Sequence, residues 1–146
     1  MYKKILVPLD GSKMAECTLD HVKTIATGCH VPEVVLLKVI EEPLLPYIEA
    51  AFLHDTKEKF EADAKEYLSG IAAGLKAEGV AADVVTIHGV AAHDILEYAK
   101  NNAIDLIIIS THGLSGANRW VFGSVADRVV RHSTVPVLTI APAGCR

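Results

Sequence analysis

A chain of 146 residues with 14 Lys and Arg against 18 Asp and Glu has a formal net charge of −4, which leaves no basic footprint for nucleic acid. Just over half the residues are apolar but only 5% are aromatic, so the core is aliphatic, as in a buried parallel sheet, and the length suits one domain over residues 1–146 without staples. No apolar run reaches the roughly 18 residues of a membrane span and no signal peptide is visible, so a cytoplasmic protein is expected, with Cys17, Cys29 and Cys145 read as reduced thiols because none has C-x-x-C spacing.

Ile5 to Leu9 is a short apolar run ended by Asp10-Gly11-Ser12, which predicts a buried strand. Ala15, Leu19, Val22, Ile25 and Ala26 follow at helical spacing, with Ser12 as cap and Gly28 as stop. Glu33 to Ile40 reads as a second strand, mostly apolar on both faces. The stretch after Pro46 reads as a loop or a short helix over Tyr47 to Leu53. A long helix is predicted from about Asp55 to Glu78, stopped by Gly79 and weakened by Gly70 and Gly74. Asp83 to His88 is a third strand, Ala91 to Asn101 a helix, and Asp105 to Ser110 the most apolar strand. A glycine-containing loop covers Thr111 to Phe122, a short helix runs from Ser124 to His132, and Pro136 to Ile140 is the last strand.

Strict β-α alternation predicts right-handed crossovers and a parallel sheet. The expected fold is α/β: one doubly wound, five-stranded parallel sheet with helices on both faces, of Rossmann-like type. Such sheets bind ligands beyond the carboxyl ends of their strands, where the winding reverses. Three groups then deserve inspection: Asp10-Gly11-Ser12, Ser110-Thr111-His112-Gly113 and Gly123-Ser124. If the first and fourth strands are neighbours, these groups meet.

Gly113 and Gly123 allow close backbone approach. A helix starting at Ser124 offers N–H groups and a positive dipole end, and Ser124 adds a hydroxyl. That combination suits a phosphate chain, although Gly123-Ser124 also reads as an ordinary helix cap. Asp10 likewise reads either as a ligand contact or as an acceptor for turn N–H groups. The local basic cluster of Arg119, Arg128, Arg131 and His132 suits a small phosphate ligand better than a duplex. Trp120 reads as a pin for the loop. The seven histidines give no zinc pattern, and no nucleophile elbow is present.

The chain resembles the universal stress protein family over nearly its whole length. The resemblance rests on Ile5 to Ser12, Thr111-His112-Gly113, Phe122 to Arg128 and Pro136 to Ile140. The nucleotide-binding branch carries Gly, two residues, Gly, nine residues, Gly, then Ser or Thr. Here Gly113, nine intervening residues, Gly123 and Ser124 match, while Ser110 stands where the motif has its first Gly. The resemblance implies a fold like that of the adenine nucleotide alpha hydrolases, binding of ATP (with Mg²⁺ as its usual companion), and no metal site made by protein ligands alone. It implies a pocket of Pro8, Leu9, Asp10, Val39, Ile109, Ser110, His112, Gly113, Arg119, Gly123, Ser124 and Val125. Asp10 and Pro8 would flank the adenine ring, Val39 would give an apolar contact, Ile109 would pack under the ribose and the Val125 N–H would face phosphate.

The leading expectation is therefore an ATP-binding stress-response or signalling module. Two alternatives stand beside it: a dimeric interaction protein of the same family that binds no nucleotide, which the Ser110 departure keeps open, and a slow ATP hydrolase. Binding of nucleic acid or membrane is not expected. The last strand, over Val135 to Ile140, is apolar and expected at a sheet edge, which predicts a homodimer formed through it.

Overall fold

The computed structural model describes residues 1–42, 50–112 and 123–141. Five strands, β1 (Lys4–Pro8), β2 (Glu33–Ile40), β3 (Ala82–His88), β4 (Leu106–Ser110) and β5 (Val137–Ile140), form one sheet in the order β3-β2-β1-β4-β5. Every pairing is parallel. Because β1 lies between β2 and β4, the winding reverses there, and the condition that the first and fourth strands be neighbours is met.

The helices are α1 (Lys13–Glu16), α2 (Thr18–Gly28), α3 (Ala50–Ala77), α4 (Ala91–Asn101) and α5 (Ser124–His132). Val22 and Ala26 of α2 and Leu68 and Leu75 of α3 pack with Ile5, Val7, Val34 and Leu36 on one face. Ile95 and Ala99 of α4 and Val129 of α5 pack with Leu6, Val35, Ile107 and Ile109 on the other. Alternate residues of β1 and β2 thus serve opposite layers, as the period of two requires. Leu6, Leu36, Leu37, Ile107 and Ile108 are fully buried, each contributing about 1.5–3 kcal/mol by leaving water. This two-sided burial explains why these strands read as unbroken apolar runs.

Beyond one-residue shifts at strand ends, the boundaries differ from the sequence reading at three helix ends. The first helix is two, α1 and α2, joined at Cys17, although Ser12 caps its start as expected, accepting from the Ala15 N–H at 3.1 Å. Gly28 stays helical, and it is His30 that takes the left-handed backbone, with φ 53°. Helix α3 begins at Ala50, not near Asp55, and the rest of the uncertain stretch before it lies outside the described residues. Gly79 ends that helix region as predicted, with φ 87°. Cys17 is disulfide-bonded, against the expectation of reduced thiols, while Cys29 is free. Linear spacing carries no information on sulfurs brought together by the fold. Among the described residues no helix is long and apolar enough to cross a membrane.

Candidate nucleotide-binding cleft

A cleft of about 680 Å³ opens above the carboxyl ends of β1, β2 and β4. Its size falls in the range of small-molecule sites. Ten of the twelve residues expected at the site border it: Pro8, Leu9, Asp10, Val39, Ile109, Ser110, His112, Gly123, Ser124 and Val125. Gly113 and Arg119, like Trp120, lie outside the described residues.

The β1–α1 turn builds one wall. Gly11 has φ 90°, a conformation that suits glycine. The Asp10 Oδ1 accepts from the Ser12 N–H at 2.9 Å and from the Ser12 hydroxyl at 2.6 Å. One carboxylate oxygen of Asp10 therefore serves the turn, so the turn reading is correct for that oxygen.

The β4 exit builds the opposite wall. Thr111 extends the sheet one step, its N–H donating to the Ile140 carbonyl at 2.9 Å. The Thr111 carbonyl in turn accepts from the Gly123 N–H at 2.7 Å, which draws the start of α5 against the strand end. His112 is buried, with Nδ1 2.9 Å from the Thr111 hydroxyl. Ser110 is buried too; its hydroxyl donates to the His112 carbonyl at 2.8 Å and accepts from the His112 N–H at 3.3 Å. The hydroxyl that departs from the motif is thus occupied with the chain's own backbone.

Gly123 is the N-cap of α5, and among the described residues no side chain caps the helix. Its φ of −57° and ψ of 152° are open to any residue, so backbone conformation does not call for glycine. The first N–H groups of α5 stand at the positive end of its dipole. Ser124 is exposed at the same spot. Asp127, in the first turn, pairs with Arg131 at 2.9 Å on the helix surface. That pairing holds the Arg131 guanidinium above its usual range, by hydrogen bond first and charge second.

A scan against family models matches residues 1–141 to the universal stress protein family. The chain belongs to that family. It is 32% identical to universal stress protein MJ0577 of Methanocaldococcus jannaschii, with 96% of this chain and 95% of the relative aligned. The solved structure of MJ0577 superposes with a TM-score of 0.87, at 34% identity, over 97% of this chain and 96% of that one. A universal stress protein in complex with cAMP shares the fold, with a TM-score of 0.68 and 20% identity over 97% of this chain and 98% of that one. So does an Arabidopsis thaliana universal stress protein family member with AMP bound, with a TM-score of 0.69 and 17% identity over 95% and 91% of the two chains.

The sequence reading of this universal stress protein missed part of the cleft. Ala15, Lys38, Glu41, Phe60, Asp63, Ala91 and Ile95 also line it. Most come from α3 and α4, whose distance from β1 no linear spacing reveals. Lys38 had a signal, as a single ammonium inside the otherwise apolar Val34 to Ile40. Its Nζ lies 5.3 Å from the centroid of the Tyr67 ring. Among the described residues no group of three or more His, Cys, Asp or Glu is placed to hold a metal ion.

Proposed function

We propose that this protein is a nucleotide-binding stress-response module that holds ATP, in the cytoplasm, across the cleft between β1 and β4. The observation that carries the reading is the start of α5: a helix N-terminus with a glycine cap, no capping side chain among the described residues, and a place on the border of the cleft. An anion is the natural complement of such an end. The cAMP and AMP complexes of the same fold support an adenine nucleotide as the ligand class. When bound, a triphosphate brings Mg²⁺. Asp127, the acidic residue of the first turn, is engaged with Arg131, so the ion would be held by phosphate oxygens and water. The Cys17 disulfide is the observation against a cytoplasmic location, since such bonds are rare in reducing compartments.

The test is to purify the protein without added nucleotide, denature it, and identify released small molecules by mass spectrometry, alongside titration with ATP. Released ATP or micromolar affinity is the expected result. A second reading, a family member that binds no nucleotide, is favoured by one observation: buried Ser110 puts a Cβ where the motif has none. If ATP binds only after Ser110→Gly, that second reading is the correct one.

The module works as a homodimer joined along β5 in this proposal. β5 is an edge strand, Val137, Leu138 and Thr139 are only partly buried, and Val130 of the neighbouring helix is 43% exposed. Apolar edges are pairing sites. A monomer at micromolar concentration by light scattering would overturn this part.

A further inference from the structure

The cleft has two chemically distinct poles. On the α4–α5 side stand Gly123, Ser124 and the open start of α5. On the α1–α3 side stand Asp10, Lys38 and Asp63. The two poles are separated by the step from β4 across β1 to β2, two strand spacings or about 10 Å. A nucleotide with its phosphates at α5 therefore brings its base to the second pole.

That second pole contains both signs of hydrogen-bonding group. Asp10 and Asp63 are acceptors when ionised, and the Lys38 ammonium is a donor only. The Lys38 head is held in place from two sides. It lies over the Tyr67 ring at 5.3 Å from the centroid, within the range of a cation–π contact. It also rests against the β1–α1 turn, 3.4 Å from the point where a Cβ on Gly11 would stand. Gly11 follows Asp10 directly, so the ammonium is fixed beside the acceptor wall.

We infer, building on the nucleotide reading above, that Lys38 is a specificity-determining residue that lets the cleft take guanine nucleotides as well as adenine nucleotides. Adenine presents an amino donor at position 6 beside ring-nitrogen acceptors. A wall of carboxylates alone suits that amino group and repels the carbonyl oxygen that guanine carries at the same position. Lys38 removes the repulsion by donating to that oxygen, while the carboxylates accept from the N1–H and the exocyclic amine of guanine. Adenine is served without the ammonium, a carboxylate accepting from its amine.

The test is direct titration of the wild-type protein and Lys38→Met with GTP and with ATP, each with Mg²⁺. Methionine keeps an unbranched stem against Tyr67 and removes only the charge and donors, and a melting curve checks that the variant folds. The expected result is wild-type binding of both nucleotides with affinities within about tenfold, and in Lys38→Met a loss of GTP affinity of about tenfold or more with ATP affinity changed far less. ATP binding with GTP excluded from the wild type overturns the inference and leaves the nucleotide reading standing. So does an equal loss for both nucleotides in the variant, which would make Lys38 a general contact. Binding of neither nucleotide by the wild type overturns both readings together.

Discussion

Helices α4 and α5 both start at the cleft, on the same face of the sheet, yet their first turns are finished in opposite ways. At α4 two carboxylates fill the role of an anion. Asp94 Oδ2 accepts from the Val90 N–H at 2.6 Å, and Glu41 Oε1 reaches from the end of β2 to accept from the Ala91 N–H at 3.0 Å. At α5 the cap is glycine, and among the described residues no side chain bonds to its first N–H groups. A serine or aspartate at position 123 would stabilise a helix start in ordinary circumstances. Leaving it out makes sense where something other than the chain satisfies those N–H groups. One helix start is closed by side chains of the protein; the other has no such partner among the described residues, which is what the proposed phosphate site requires.

The largest effect should come from closing the open end. Gly123→Val puts a branched side chain between the cleft and the first N–H groups of α5. Losing two charge-assisted hydrogen bonds to phosphate costs about 3 kcal/mol or more, at least about 100-fold in affinity. Stability should change by no more than about 1 kcal/mol, since the φ and ψ at this position suit any residue. Calorimetric titration with ATP and a thermal melt of the same sample check both halves. A variant that binds ATP like the wild type would show that α5 is not the phosphate pole.

The opposite signature is expected at α4. Asp94→Ala removes a cap hydrogen bond and should lower stability by about 1 kcal/mol, a few degrees in Tm, with nucleotide affinity unchanged. Gly89 makes that cap possible, because a Cβ there would stand 2.0 Å from the Asp94 Oδ2. Gly89→Ala should therefore push the carboxylate off the Val90 N–H and cost a similar amount. The double variant should cost little more than either single one, since both lose the same hydrogen bond. Additive losses measured by denaturant titration would show that Gly89 matters for some other reason.

The contrast also marks where sequence reading succeeds. Helix α5 has the bounds expected from Gly123-Ser124 and its apolar spacing, and α4 starts and stops at the expected residues. Strand alternation implied the parallel sheet, and β1 does neighbour β4. These features are local patterns or follow from chirality and connection rules. What escaped was placement at a distance. Glu41, just past the end of β2, caps a helix 50 positions later. Lys38 and Asp63 share a cleft wall only because α3 packs across β2. The α2 end is closed past Gly28 by local bonds, from the Cys29 N–H to the Ile25 carbonyl and from the Val31 N–H to the Ala26 carbonyl, with His30 in the left-handed turn.

The smallest expected effect separates the two poles of the cleft by charge and pH. The Tyr67 hydroxyl is buried without a hydrogen-bond partner among the described residues. Burial raises its pKa above the ordinary tyrosine value, and the charges of Glu16 and then Asp10 raise it further. A folded-state pKa above the unfolded one means that the phenol's contribution to stability is complete below about pH 10 and is lost as pH climbs through the folded value. Tyr67→Phe keeps the ring under the Lys38 ammonium and removes the unpaired hydroxyl. At neutral pH it should leave stability unchanged or raise it by about 1 kcal/mol, and above pH 10 the advantage over the wild type should grow. Urea unfolding at pH 7.5 and pH 10.5 measures both. A clear loss of stability at neutral pH would mean that the hydroxyl has a partner in solution, with Glu16 as the first residue to test by Glu16→Gln.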